Sequence, residues 1–243
     1  RLTTADLFRV VPLGIGMDGT MSYPLITVWL TGAEIKKTLE ILTSVYPMKG
    51  SDYFLQVSGV KFTYNPRRLL FDRVTGIWMG SEEEGWKPLD YSRRNGTLYR
   101  VAANMYNSTF LKLIGGFTFG ILDIVPKDRA GKPISDLKIA RVDADRSAPG
   151  IQELKEWAGF LQYVRQLPDA DGDGIPDIPA KYAGPLGRNV SEPSWNPVSL
   201  LARPGLTTGV AIGAVLFVLL LVAGIAILVV FLVRRRRRKG VRA

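Results

Sequence analysis

Four aspartates fall within the nine residues "DADGDGIPD": Asp169, Asp171, Asp173 and Asp177. Carboxylates at alternate positions, spaced by glycine, can turn their oxygens toward one hard cation. Four such charges in so short a stretch repel one another unless a cation is present, and the expected ligand is a structural Ca²⁺. The same residues also suit an Asp/Gly surface turn. A second stretch, "LIGGFTFG" (113–120), runs Gly115 and Gly116 into Phe117 and Phe119. Glycines permit sharp turns and close backbone approach. The aromatics beside them either stack on a flat ligand or cover a core. The sequence has no histidine and no cysteine. That removes the commonest general base, thiol chemistry, disulfides and thiolate or imidazole metal sites.

Charge narrows the partners. The formal net charge is +10 over 243 residues. Seven of the 32 basic residues lie after position 233 with no acid among them, leaving 25 basic against 22 acidic residues elsewhere. A nucleic-acid module spreads its excess over a folded face. Here the excess belongs to the tail, so no nucleic-acid partner is expected.

The tail reads as a membrane anchor. "LTTGVAIGAVLFVLLLVAGIAILVVFLV" (206–233) carries no charge and is long enough to span a bilayer, which takes roughly 20 apolar residues. "RRRRRKG" follows at once. Basic residues beside a span stay cytoplasmic, so the expectation is a single-pass protein with its domain extracytoplasmic and residues 234–243 inside. "LARPG" (201–205) does not match an LPxTG sorting site, which favours a retained anchor. Gly209 and Gly213 form a GxxxG pair through which two spans can approach as a homodimer. The opening "RLTTADLF" has no initiator Met and no signal-peptide pattern, so the sequence reads as the C-terminal part of something longer.

These features need elements to position them. "PLITVWL" is rich in β-formers and reads as a buried strand. It feeds "TGAEIKKTLEILTSVY", where Thr31 and Glu34 have capping-box spacing and Ile35, Leu39, Leu42 and Val45 or Tyr46 share a face. After Gly50 come short strands: "YFLQVSG" and "VKFTYNP" around Ser58-Gly59, "RVTGIWMG" and "WKPLD" around the acidic "SEEEG", then "TLYRVAAN" leading into a helix, "MYNSTFLKLI". "SAPGIQELKEWAGFLQYVRQLPD" (147–169) reads as a second long helix, with Ile151, Leu154, Leu161 and Val164 on one face. Residues 189–205, with three prolines and little periodicity, read as a linker. The class is α+β, a mixed sheet with flanking helices, plus one transmembrane helix. Asn95, Asn107 and Asn189 begin formal glycosylation triplets.

Four stretches, in order, resemble one family. "TTADLFRVVPLG" is similar to the T-x-x-D-L-F-x-x-x-P-[FL]-G opening of the 5'-nucleotidase C-terminal domain. "LTGAEIKKTLE" resembles its L-[TK]-G-x-x-[LI]-K-x-x-[LF]-E strand-to-helix passage. "FLQVSGVKFTYNP" resembles F-L-Q-V-[SG]-G-[IL]-x-x-x-Y-[DN], and "YRVAANMY" resembles Y-x-V-[AV]-x-N-x-[YF], which leads to G-G-D-G-[FY]. The resemblance covers about residues 3–125. It implies residues 1–188 as one 5'-nucleotidase C-terminal-like domain. It also implies an N-terminal metallophosphoesterase domain holding the divalent metals, and two aromatics that sandwich the base of a nucleotide. "GGFTF" occupies the place of G-G-D-G-[FY], so Phe119 matches one stacking aromatic, presented by Gly115 and Gly116. Phe117 stands for the Asp. The other stacking position falls near Leu25, with Tyr23 two residues away. The aspartate stretch (169–177) separately matches positions one, three, five, six and nine of an EF-hand loop, with Ala180 where the bidentate Glu would stand. It is closer still to the D-x-D-G-D-G-x-x-D calcium repeat of thrombospondin type 3.

Two functions follow as expectations. One is nucleotide recognition for a membrane-anchored, extracytoplasmic 5'-nucleotidase-like phosphoesterase. In such an enzyme metal-activated water attacks the phosphate ester. The other is a non-catalytic surface module on the same fold, its nucleotide site degenerated at Leu25 and Phe117. This chain holds no complete catalytic site for either. Its expected partners are a nucleotide or other phosphate ester, the N-terminal domain and the lipid bilayer.

Overall fold

The computed structural model describes residues 3–11, 14–50, 56–109 and 122–240. Among them the expected strand-to-helix passage is the centre of the fold. Strand β1 (Leu25–Thr31) alternates in burial, turning Ile26, Val28 and Leu30 inward. At its end Thr31 caps helix α2 (Gly32–Lys49): the Thr31 hydroxyl accepts from Glu34 N, and the Glu34 carboxylate accepts from Thr31 N at 2.8 Å. Two of the helix's otherwise unpaired N–H groups are thereby satisfied. Gly50, at φ 102°, ends the helix in a conformation that disfavours a side chain.

Helix α2 is buried on more than one face. Ile35, Leu39, Ile41 and Leu42 all lie in the core, and Val45 rather than Tyr46 packs beside them. The reason is that α2 touches both β1 and a strand of the other sheet, Val74–Ser81 (β3). Strand β5 (Leu98–Asn104) pairs antiparallel with β1, from Leu25 opposite Asn104 to Thr31 opposite Leu98. The other sheet has the order β4-β3-β2-β6, with β2 at Val60–Tyr64, β3 at Val74–Ser81, β4 at Gly85–Pro88 and β6 at Asn189–Ser191. Its β2-β3-β4 part is antiparallel, whereas β6 joins β2 in parallel. The acidic "SEEEG" is the β3–β4 turn, as expected. Glu40 of α2 fixes the start of β3, accepting from Arg73 N and Val74 N at 2.6 and 3.1 Å. Burial holds the Glu40 carboxyl above its ordinary range, against the pull of Lys36.

Three helices flank the sheets. Helix α1 (Thr4–Val10) rests on α4 (Glu156–Val164) through an edge-on contact of Phe8 and Trp157, 5.5 Å between centroids. Residues 105–109 form the described part of α3, which follows β5 directly. The fold is thus mixed α and β with flanking helices, as the pattern of strands and helices implies.

Two local expectations change. The helix over 147–169 begins only at Glu156. Residues 152–154 are instead extended and tied to residues distant in sequence. Ala144 N donates to Gln152 O, Leu154 N to Val142 O, and Leu25 N to Leu154 O. Leu154 and Ile151 fit a helical period, but the backbone of Leu154 is taken by Leu25 of β1 and by Val142. Residues 189–205, read as a linker, carry β6 and the short helix α5 (Pro197–Leu201). Asn65 holds this segment by donating to Ser194 O at 2.9 Å. Helix α6 (Leu206–Gly240) then leaves the domain. Its stretch Leu206–Leu232, 27 residues with mean hydropathy 3.4, is long and apolar enough to cross a membrane.

Candidate functional site

Tyr23 stands just before β1, and its main-chain oxygen accepts from Glu156 N of α4. Gly14, at φ 73°, packs so closely beneath it that a Cβ there would lie 2.2 Å from the Tyr23 ring. Tyr23 is stacked on Tyr106 of α3, with centroids 5.7 Å apart and planes at 23°. Tyr106 is 47% exposed, so the pair has an open outer edge. Leu25 sits differently. It is in the β1–β5 ladder opposite Asn104, and Gly159 of α4 lies against its side chain. The structure therefore brings Tyr23 together with Tyr106 and leaves Leu25 packed under α4. Phe119, Gly115 and Gly116, with Phe117, lie outside the described residues. Tyr106 was not singled out in the sequence, although it ends the "YRVAANMY" stretch. Its signal was an aromatic one residue into a helix that starts where a core strand stops.

Beside Leu25 the described residues bound a space of about 740 Å³, with Arg100, Asn104, Asn107, Ser108 and Glu156 among the polar groups on its lining. Asn104 donates to Glu156 at 3.0 Å. Residues 51–55 and 110–121 adjoin this lining in the chain, so no ligand is assigned to it.

The loop 14–21, which follows the "PLG" of the opening motif, is held by a charge network. Lys155 Nζ lies 2.7 Å from Asp18 and 2.5 Å from Glu153, and Arg141 lies 2.5 Å from Glu153. Glu153 also accepts from Met17 N at 3.1 Å. The bond from Lys155 holds the Asp18 carboxyl at about 2. Burial alone would raise Glu153, yet Lys155 and Arg141 outweigh it and keep it below its ordinary range. At Gly16 a Cβ would fall 1.9 Å from Lys155 Nζ, so a side chain there would push the lysine out of this network. This network fixes the loop against which Tyr23 packs.

The aspartate loop follows α4. Oxygens of Asp169, Asp171 and Asp177 lie within 4.8 Å of one another. The backbone wraps them: Gly172 N and Gly174 N donate to Asp169 at 2.8 Å, Asp173 N donates to Asp171, and Ala170 N donates to Asp177. Gly172 and Gly174 take φ 78° and 81°, which only glycine adopts readily. Asp173 is not in the convergent group; its carboxylate accepts from Ile175 N at 2.9 Å. Three oxygen donors that close, with no nitrogen or sulfur donor among them, can hold a hard metal ion.

The fold is an α+β domain with an apolar helix after it. Residues 1–112 match the family model of the 5'-nucleotidase, C-terminal domain. The four motifs fall within this match, so residues 1–112 are similar to a 5'-nucleotidase C-terminal domain. The match stops immediately before "LIGGFTFG". Among solved structures, a 5'-nucleotidase precursor from Thermus thermophilus is 19% identical and aligns over 79% of this chain and 28% of its own, with TM-score 0.42. The NAD nucleotidase of Haemophilus influenzae is 21% identical over 46% of this chain and 19% of its own, with TM-score 0.36. The chain thus spans under a third of the length of either. No curated protein matches it.

Proposed function

We infer that this chain recognises the nucleotide for a membrane-anchored, extracytoplasmic 5'-nucleotidase-like metallophosphoesterase. The family match over residues 1–112 carries this reading. The metals and the hydrolytic chemistry belong to the N-terminal domain that the resemblance implies. This chain supplies an aromatic seat: Phe119 on one side and Tyr23, backed by Tyr106, on the other. Stacking on such faces contributes about 1–3 kcal/mol per base at nucleic-acid sites. It acts far from the phosphorus, so it should appear mainly in KM. In the full-length protein, Phe119→Ala and Tyr23→Ala should raise KM for a nucleotide more than for a small phosphate ester without a base. Equal penalties on both substrates would refute a base seat.

A non-catalytic module on the same fold is the second reading. Leu25 packed under α4, and a family match that ends before the glycine-aromatic stretch, favour it. Full-length protein that hydrolyses neither substrate, with metal supplied, would select it. The anchor reading rests on the apolar run and the arginines after it. Protease added to intact cells should remove the domain and spare a tail epitope. A structural Ca²⁺ at Asp169, Asp171 and Asp177 completes the proposal.

A further inference from the structure

The apolar helix is longer than a membrane requires. Its 27 uncharged residues extend about 40 Å at 1.5 Å per residue, against about 30 Å of hydrocarbon. The arginines from Arg234 on fix the cytoplasmic end. The surplus, about two turns, therefore lies at the domain end. There the β2–β3 turn and α5 lie alongside the helix. A groove of about 350 Å³ is lined by Arg67, Leu69 and Leu201 on one side and by Ile212, Val215 and Leu216 on the other. The inner side of this joint is locked. Arg68 pairs with the fully buried Asp72 at 3.0 Å and donates to the carbonyls of Ser199 and Ala202. Asp72 accepts from Gly205 N at 2.9 Å and from the Thr208 hydroxyl at the start of α6. The outer side is apolar and open: Leu69 is 48% exposed, Leu201 53%, Trp195 69% and Val198 76%.

We propose that the β2–β3 turn and α5 form a lipid-facing collar that seats the domain on the outer membrane leaflet. It rests on the membrane reading of α6 and is independent of nucleotide binding. Lipid is the occupant because the groove is continuous with the span. Val215 and Leu216 lie in the hydrocarbon if Arg234 marks its far edge, and Leu69 and Leu201 face them across one groove. Trp195 and Arg67, stacked with the guanidinium 5.0 Å from the ring centroid, are the aromatic and cationic types that settle among headgroups. Arg203 adds a second cation between α5 and α6. The buried Arg68–Asp72 joint leaves the collar little freedom to swing away from the helix it grips.

The chain has no cysteine, so single spin labels can be placed cleanly in the full chain, reconstituted in phosphatidylcholine–phosphatidylglycerol vesicles. The sites are Leu69→Cys and Leu201→Cys in the collar, Leu220→Cys in the span, and Glu83→Cys at the opposite end of β3. Relaxation by oxygen and by a water-soluble nickel chelate reports the surroundings of each. The expected result is an oxygen-to-nickel ratio at Leu69 and Leu201 several-fold above that at Glu83, approaching that at Leu220. Ratios equal to Glu83 with Leu220 in lipid would overturn the collar and leave the span intact. Shielding from both agents with spin–spin broadening would place a second copy on this face and overturn it as well. Nickel access at Leu220 would remove the span and the collar together.

Discussion

Asp18, Glu153 and Asp72 each face a cation, whereas Asp169, Asp171 and Asp177 face one another and their own backbone. The first group is already neutralised by the fold. Lys155 and Arg141 hold Glu153, Lys155 also reaches Asp18 from 137 positions away, and Arg68 pairs with Asp72 four residues on; the result is fixed geometry: a pinned loop at 14–21 and a locked joint below α6. The aspartate loop has its shape too, from Gly172 and Gly174, but among the described residues only N–H dipoles offset its converging charge. Acidic residues answered by side-chain cations are structural, and those answered only by amides are the ones suited to an external ion. The comparison also warns against reading acidic content alone, since the sequence singled out one group and passed over the other.

Perturbing each region in turn tests this division. The largest effect should follow Asp72→Ala, which leaves Arg68 buried and unpaired; breaking a buried pair costs about 3–5 kcal/mol, read from urea unfolding of the protein in detergent. A loss below about 1 kcal/mol, the range of exposed pairs, would mean water reaches the joint. Calcium comes next. At a concentration about 100 times its Kd, it should stabilise the fold by about 2.7 kcal/mol, seen as a rise in Tm that chelator reverses. Asp169→Ala with Asp171→Ala should abolish that rise while leaving the calcium-free Tm nearly unchanged. A Tm indifferent to calcium in the unaltered protein would leave the loop as a turn.

Glu153→Gln should cost about 1–3 kcal/mol, since Lys155 and Arg141 lose a charged acceptor. The smallest effect is pH-dependent. The Asp18 carboxyl is held at about 2, below its ordinary 3.8. A depressed carboxylate stabilises fully above its unfolded pKa and loses that contribution as pH falls through the folded one. The loss should therefore fall between about pH 4 and pH 2. Asp18 is partly exposed, so solvent screening limits it to about 0.5 kcal/mol. Asp18→Asn should flatten acid unfolding in that window and leave neutral stability almost unchanged. A steeper acid limb in the variant would contradict the pairing with Lys155.

What was legible in the sequence follows how local each cause is. Thr31, Glu34 and the apolar positions of α2 lie within a few residues of one another, and the capping box formed as read. The β3–β4 turn at "SEEEG" is equally local. Leu154 went wrong because its periodicity is helical while its backbone partners, Leu25 and Val142, are remote. Asn189–Ser191 went wrong for the same reason: nothing nearby marks three residues that complete a sheet begun at Val60. At the site, Tyr23 was visible through the family's spacing. Its partner Tyr106 was not, because 83 positions of chain separate two rings that only the β1–β5 pairing brings together. The bond of Lys155 to Asp18 was hidden likewise, because 137 positions separate them.

The short parallel strand β6 has a consequence in time. It is an edge strand of its sheet, paired through Phe62 with Asn189 and Tyr64 with Ser191, and only fourteen residues separate Ser191 from the start of α6 at Leu206. During synthesis the sheet waits, missing its fourth strand, until nearly the whole domain has emerged. Pairings so distant in sequence form slowly, because the intervening chain must be ordered first. By then the hydrophobic helix is following directly behind. If α6 spans a membrane as proposed, the final folding step and its insertion fall within one short interval, and a chain that stalled before Asn189 would present an open sheet edge with no anchor to hold it.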